Sequence, residues 1–149
     1  MMESPFAPRD RRWEERVRAS FAREGAMRFL GASIVELAPG ECTIAVPFRD
    51  DLAQQHGFFH AGVTSAIADS AGGYAALSLF PPESEVLTVE FKINLIAPAQ
   101  GAELRAEAAV VRTGRTLTVC TIEVCVARSG TRLPCALMQQ TLIRIDPES

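Results

Sequence analysis

The stretch His56-Gly57-Phe58-Phe59-His60-Ala61-Gly62 runs into nearly uncharged sequence that continues to Phe80 and holds one carboxylate, Asp69, at its middle. A helix that is apolar on every side is expected to be buried on every side. An acid inside it is costly to desolvate unless something binds it or uses it. Residues 61–80 also approach the length of a membrane span. Against a span stand Asp69, the Gly72-Gly73 pair, the hydroxyls of Thr64, Ser65, Ser70 and Ser78, and the absence of flanking basic clusters. A helix wrapped by a sheet, away from any membrane, is the expectation.

Working outward, the whole chain of 149 residues suits one domain with a single core. A hydrophobic fraction of 48% excludes a disordered chain, and a net charge of −3 gives no reason to expect nucleic acid or an anionic membrane as partner. Met1-Met2-Glu3-Ser4-Pro5 lacks the pattern of a secretory signal, so a cytoplasmic location is expected. Cys42, Cys120, Cys125 and Cys135 form no C-x-x-C pair, and with only two histidines no zinc site is expected. They read as small apolar residues in strands of a reduced protein, with no context that favours any of them as a nucleophile.

Residues 1–10 read as a loose tail with two prolines. Over residues 11–24, Trp13, Val17 and Phe21 recur at i, i+4 and i+8, an amphipathic helix that Gly25 is expected to end. Two short strands follow, Ala32–Leu37 and Cys42–Phe48, joined by Ala38-Pro39-Gly40-Glu41. Beyond the helix, which Pro81-Pro82 stops, Leu87, Val89, Phe91, Ile93 and Leu95 alternate with polar residues, predicting a strand with one apolar face. Strands over Glu103–Val111 and Leu117–Ala127 meet across Arg112-Thr113-Gly114-Arg115, with Gly114 expected at positive φ. Pro134–Ile145 supplies the last strand. The order is helix, two strands, long helix, four strands, in the α+β class. An antiparallel sheet of five or six strands curled around a central helix, a hotdog-type fold, satisfies it. Its edge strands invite pairing, so an oligomer is expected.

The chemistry concentrates on the central helix. His60 and Asp69 lie nine residues apart, about two and a half turns, and so on opposite faces. Gly62 and Asp69 share a face but stand about 10 Å apart along the axis at ~1.5 Å per residue. One small substrate group cannot touch both within one helix. If both act on one carbonyl, two chains must share the site. Ser65 and Ala66 one turn before Asp69, and Gly72 and Gly73 one turn after, leave room for a ligand or a partner backbone. The alternative is that they merely permit tight packing around a hydrogen-bonded Asp69. Gly62 near the helix start can offer its N–H to an oxygen gaining negative charge, or can simply serve turn geometry.

His60-Ala61-Gly62-Val63-Thr64-Ser65-Ala66-Ile67-Ala68-Asp69 resembles the H-G-G-x(6)-D signature of the PaaI-like acyl-CoA thioesterases of the hotdog superfamily. The similarity runs over roughly residues 25–145 and includes Val89-Glu90-Phe91-Lys92-Ile93-Asn94 and Gly114-Arg115-Thr116-Leu117. It implies that Asp69 is general base or nucleophile, that Gly62 or the adjacent Ala61 binds the carbonyl oxygen, and that His60 holds the loop. The family often carries asparagine six residues before its histidine. Here Gln54 stands there, with Gln55 beside it, and the second motif position is alanine rather than glycine. Thr88 falls where relatives carry a serine near the attacking water.

The implied substrate is an acyl-CoA, with coenzyme A as part of the substrate and no separate cofactor or metal. Arg112 and Arg115, with Arg128 as a third, sit in hairpin connections where they can grip phosphate or remain solvated. Phe58 and Phe59 can line an acyl pocket or belong to the core, Ser65 and Gly72 can border it, and the Trp13/Phe21 helix can cover one end. His56 is either a helper in the site or an exposed loop residue. The expected protein is therefore a thioester hydrolase, a homodimer or a dimer of dimers. The alternatives are an acyl-CoA sensor that has no need of Asp69, and a hydroxyacyl-thioester dehydratase that uses His60 and Asp69 as its base and acid.

Overall fold

In the computed structural model, residues 4–148 are described. Two short helices open the chain, α1 (Trp13–Arg23) and α2 (Gly25–Leu30). The hairpin β1 (Ser33–Ala38) and β2 (Glu41–Pro47) follows, then a 3-10 turn at Asp50–Leu52 and the central helix α3 (Ala61–Leu77). Four long strands complete the fold: β3 (Glu85–Leu95), β4 (Glu103–Thr113), β5 (Leu117–Arg128) and β6 (Thr131–Ile145). They form one antiparallel six-stranded sheet in the order β1-β2-β4-β5-β6-β3, which leaves β1 and β3 at the edges.

The inner face of this sheet alternates as a half-buried sheet must. Ile44 and Val46 on β2, Leu104 and Ala106 on β4, Ile122 and Val124 on β5, and Met138 and Leu142 on β6 are all buried around α3. Ile67 projects from α3 into this core with no exposed surface. Burial of such a side chain contributes roughly 1.5–3 kcal/mol. The hotdog architecture expected from the order of elements is the one observed.

Several local expectations are corrected. Gly25 does not end a helix but opens α2, which stops at Gly31, where φ is 75° and only glycine is free of strain. Gly114 is not among the positive-φ glycines, and the β4–β5 connection is closed instead by its N–H donating to the Leu117 carbonyl at 2.8 Å. Residues 1–3 of the expected loose tail lie outside the described residues. Residues 4–10 have no regular structure but are tied down. Ser4 Oγ donates to the Pro39 carbonyl at 2.5 Å, Phe6 packs on the core, and Asp10 faces Arg16 at 3.1 Å.

Arg16, read from sequence as one charge among many on α1, has a structural task. Its guanidinium donates to the carbonyls of Leu77 (3.1 Å), Phe80 (2.8 Å) and Pro81 (2.8 Å), at and just beyond the end of α3. A cation there also complements the negative end of the helix. This contact and the Pro81-Pro82 pair fix where the central helix stops.

The expectation that α3 is buried on all sides holds for three sides only. Val63, Ile67, Ala71 and Tyr74 are buried, whereas Ala61 and Gly62 are exposed and Ser65, Ala66, Asp69 and Gly73 are half-buried. These six form one stripe of small residues at helical spacing. The edge strand β3 is also open, with Leu87 57%, Val89 55% and Leu95 55% exposed.

Candidate functional site

At the start of α3, His60 is the N-cap residue, and its Nδ1 accepts the Gly62 N–H at 2.8 Å. The His60 carbonyl takes the N–H groups of Val63 and Thr64. Of the first-turn donors of α3, the Ala61 N–H is the one without an acceptor among the described residues, whereas the Gly62 N–H is taken by His60.

The loop before α3 is held by Gln54. Its Oε1 accepts the His56 N–H (2.5 Å) and the Phe58 N–H (3.3 Å), and its backbone carbonyl takes the Gly57 N–H (3.0 Å) where φ is 84°. Gln54, Phe58, Phe59, Ala61 and Thr64 line a cavity of about 220 Å³ together with Leu95 and Pro98. Phe59 is nevertheless a core residue, stacked edge-on against Phe48 at 5.2 Å. Gln55 and His56 are exposed.

Asp69 is held by quite different means. Its Oδ1 accepts the Thr88 hydroxyl at 2.6 Å and the Gln140 amide Nε2 at 2.7 Å. Among the described residues its Oδ2 accepts no hydrogen bond, so the carboxylate is held by one oxygen. Thr88 reaches it because of a register shift between Thr88 and Glu90, where Val89 has no partner on β6. Thr88 pairs with the buried Leu142, while Phe91 pairs with the buried Gln140, so both face α3. The single apolar face predicted for Leu87 through Leu95 is therefore interrupted. The bulge turns Thr88 inward and Leu87 outward.

Beside Asp69 lies a cavity of about 290 Å³ lined by Ser20, Glu24, Ser70, Tyr74 and Thr88. Glu24, at the N-cap of α2, accepts the Ser70 hydroxyl (2.7 Å) and the Tyr74 hydroxyl (2.6 Å). Burial first, and the contact with Glu24 second, push the Tyr74 phenol well above its usual range. The end of α1 borders this cavity, and Phe21 meets Tyr74 edge-on at 5.7 Å.

Ser65 and Gly72 fall on different sides of the helix. Ser65 lies on the open stripe, whereas Gly72 is buried against Gln140. Arg112 and Arg115 are exposed at the β4–β5 connection, with no ion pair among the described residues. Thr113 pairs with Thr118, Thr118 with Leu142 and Leu142 with Thr88, so that connection and Thr88 lie at one end of the sheet. Three strand spacings, about 14 Å, separate them. Arg128 is at the other end of β5 and donates to Gln100 at 3.0 Å.

All four cysteines are buried and free. Burial pushes the thiols of Cys42 and Cys120 up to about 12, and those of Cys125 and Cys135 up to about 11. None is a ready nucleophile. Among the described residues no three His, Cys, Asp or Glu side chains come together as a metal site, and no helix is long and apolar enough to cross a membrane.

Two features of the site were missed in the sequence reading. Glu24 reads as the last charge of a helix, and only the fold brings it to Ser70 and Tyr74. Gln140 did carry a signal. It stands in phase with Ala136, Met138 and Leu142 on the apolar alternation of β6, where a polar side chain is out of place.

Comparison with known proteins agrees with this fold. The thioesterase superfamily matches the chain over residues 56–132. A crystal structure of a thioesterase family protein from Silicibacter pomeroyi superposes with a TM-score of 0.89 at 46% identity, covering 91% of this chain and 99% of that one. The PaaI protein of the E. coli phenylacetic acid degradation operon shares the fold, with a TM-score of 0.80 at 21% identity over 90% and 94% of the two chains. The 1,4-dihydroxy-2-naphthoyl-CoA hydrolase of Listeria monocytogenes is 24% identical over 67% of this chain and 81% of its own. The chain belongs to the thioesterase superfamily, with the hotdog fold.

Proposed function

We propose that this member of the thioesterase superfamily hydrolyses an acyl-CoA to a free acid and coenzyme A. One observation carries the reading. Asp69 is locked by Oδ1, and among the described residues its Oδ2 stands without a partner on the open stripe of an otherwise buried helix. A carboxylate so placed can take a proton from water as it attacks the thioester carbon, or can attack that carbon itself. Both routes begin from the same lone pair and differ in where the new oxygen comes from.

The attack leaves negative charge on the thioester oxygen. The Ala61 N–H, at the positive end of α3, suits that oxygen. Ala61 and Asp69 are eight residues apart, about 12 Å along the axis, too far to act on one carbonyl from one chain. We therefore assign the two groups of a single site to two copies of the chain. The open stripe of α3 and the apolar edge strand β3 supply a surface that a second copy can cover. When the C–S bond breaks, the thiolate leaves with coenzyme A; attack by water leaves the free acid, whereas direct attack leaves an anhydride on Asp69 that a water then hydrolyses to the acid. Arg112 and Arg115, exposed and free of ion pairs among the described residues, suit the nucleotide phosphates.

His60 is poorly suited to the base of a dehydratase: with Nδ1 accepting the Gly62 N–H, the neutral ring carries its proton on Nε2.

The test is thiol release from a panel of short, medium, long and aryl acyl-CoAs. Release from at least one class is expected. Saturable binding of acyl-CoA with no release from any class contradicts hydrolysis and makes the protein a sensor.

A further inference from the structure

We infer that Gln140 is a positioning residue for the reaction, holding the Asp69 carboxylate so that Oδ2 faces the substrate. The inference rests on the hydrolase reading and deepens it.

Gln140 is fully buried on β6, 71 residues from Asp69 in sequence. Its Nε2 donates to Asp69 Oδ1 at 2.7 Å, and lies 3.1 Å from the Asp69 carbonyl and 3.2 Å from Thr88 Oγ1. One amide nitrogen thus meets helix backbone, carboxylate and hydroxyl together, and with Thr88 it saturates Oδ1. Two donors from two strands define both the rotation and the tilt of the carboxylate. One donor alone leaves it free to swing about the remaining bond.

The arrangement is costly to the fold. Gln140 Oε1 is buried with no hydrogen-bond partner, an unfavourable state for an amide oxygen. Oε1 also lies where a Cβ on residue 72 would sit, so the amide keeps this position only opposite a glycine in the middle of α3, and a larger residue would push it aside. Glycine weakens a helix interior relative to alanine. A buried orphan oxygen and a mid-helix glycine therefore occur at one contact, and both are explained by the need to keep the amide nitrogen against Asp69. Local features that weaken a fold concentrate where function requires them.

This gives a signature that a purely structural role does not share. Gln140→Met keeps the length and approximate volume of the side chain and removes both the donor and the orphan acceptor. Its melting temperature is expected to equal or exceed that of the wild type, while kcat falls by about ten- to a hundredfold and KM stays within about threefold. Thr88→Val removes the other donor from a different strand and is expected to show the same split. Thr88→Ser, which keeps the hydroxyl, restores the rate. As a readout that needs no turnover, the side-chain amide resonance of Gln140 is expected to shift in Asp69→Asn.

A Gln140→Met protein that turns over at the wild-type rate overturns the inference. So does one whose kcat falls only in step with a lowered melting temperature. A wild type that releases thiol from no acyl-CoA overturns the hydrolase reading itself. With an active wild type, the kcat of Gln140→Met judges Gln140 alone.

Discussion

The two ends of the functional stretch of α3 are built in opposite ways. The N-terminal end is assembled from neighbours in sequence: His60 caps Gly62 two residues on, and Gln54 holds His56 and Phe58 two and four residues on. It offers a backbone donor, the Ala61 N–H. The middle of the helix offers an acceptor, Asp69 Oδ2, and is set by partners 19 and 71 residues away. A thioester hydrolase needs both, yet a single helix keeps them about 12 Å apart. On the function proposed above, one chain carries two half-sites, and a second copy brings the donor of one to the acceptor of the other.

The comparison breaks most severely at the acceptor. Asp69→Asn keeps a hydrogen-bonding side chain of the same shape but removes the base, and kcat/KM is expected to fall by about a thousandfold. The measurement is thiol release, with gel filtration showing an unchanged oligomer. A fall of less than tenfold would remove Asp69 from the reaction.

The donor end is tested by Ala61→Pro, a substitution that the backbone tolerates. Ala61 is the first residue of α3, where proline is well accommodated, and His60 before it has φ −63° and ψ 140°, the extended conformation that a following proline requires. Only the N–H is lost. The expected cost is about a hundredfold in kcat with little change in KM. If the rate survives while Gly62 variants lose it, the donor is misassigned.

His60→Ala sharpens the comparison by loosening the cap without deleting the donor. It is expected to lower stability by about 1 kcal/mol, read by denaturant unfolding, and to slow turnover only a few-fold. Near-complete loss of turnover would instead make His60 a reacting group. The smallest effect is expected from the thiols. With all four raised to about 11 or 12 by burial, iodoacetamide at neutral pH should neither label the folded protein appreciably nor reduce the rate.

The same contrast explains what was legible in sequence. The fold was, because the long apolar helix and the succession of strands and turns around it are local patterns with one compact solution. The donor end was legible to within one residue, since capping acts over two or three positions. With His60 accepting from Gly62, the Ala61 N–H is the first-turn donor without an acceptor among the described residues. The surroundings of Asp69 were not legible. Thr88 faces Asp69 only because Val89 is bulged out of the ladder with β6, and no period-two reading of Leu87 to Leu95 anticipates that slip. Gln140 depends on how β6 registers against the helix, although its polar side chain at an apolar phase marked it. Gly72 reads as a helix defect until the amide opposite it is seen.

The central claim is that Ala61 of one copy and Asp69 of another act on the same carbonyl. Ala61→Pro and Asp69→Asn chains, each nearly inactive alone, can be unfolded together in equal amounts and refolded. Random pairing makes half of the dimers mixed, and each mixed dimer has one site with both groups intact, so about a quarter of wild-type activity should return. Activity no greater than the average of the two separate variants, in a mixture shown to contain mixed dimers, would contradict the shared site.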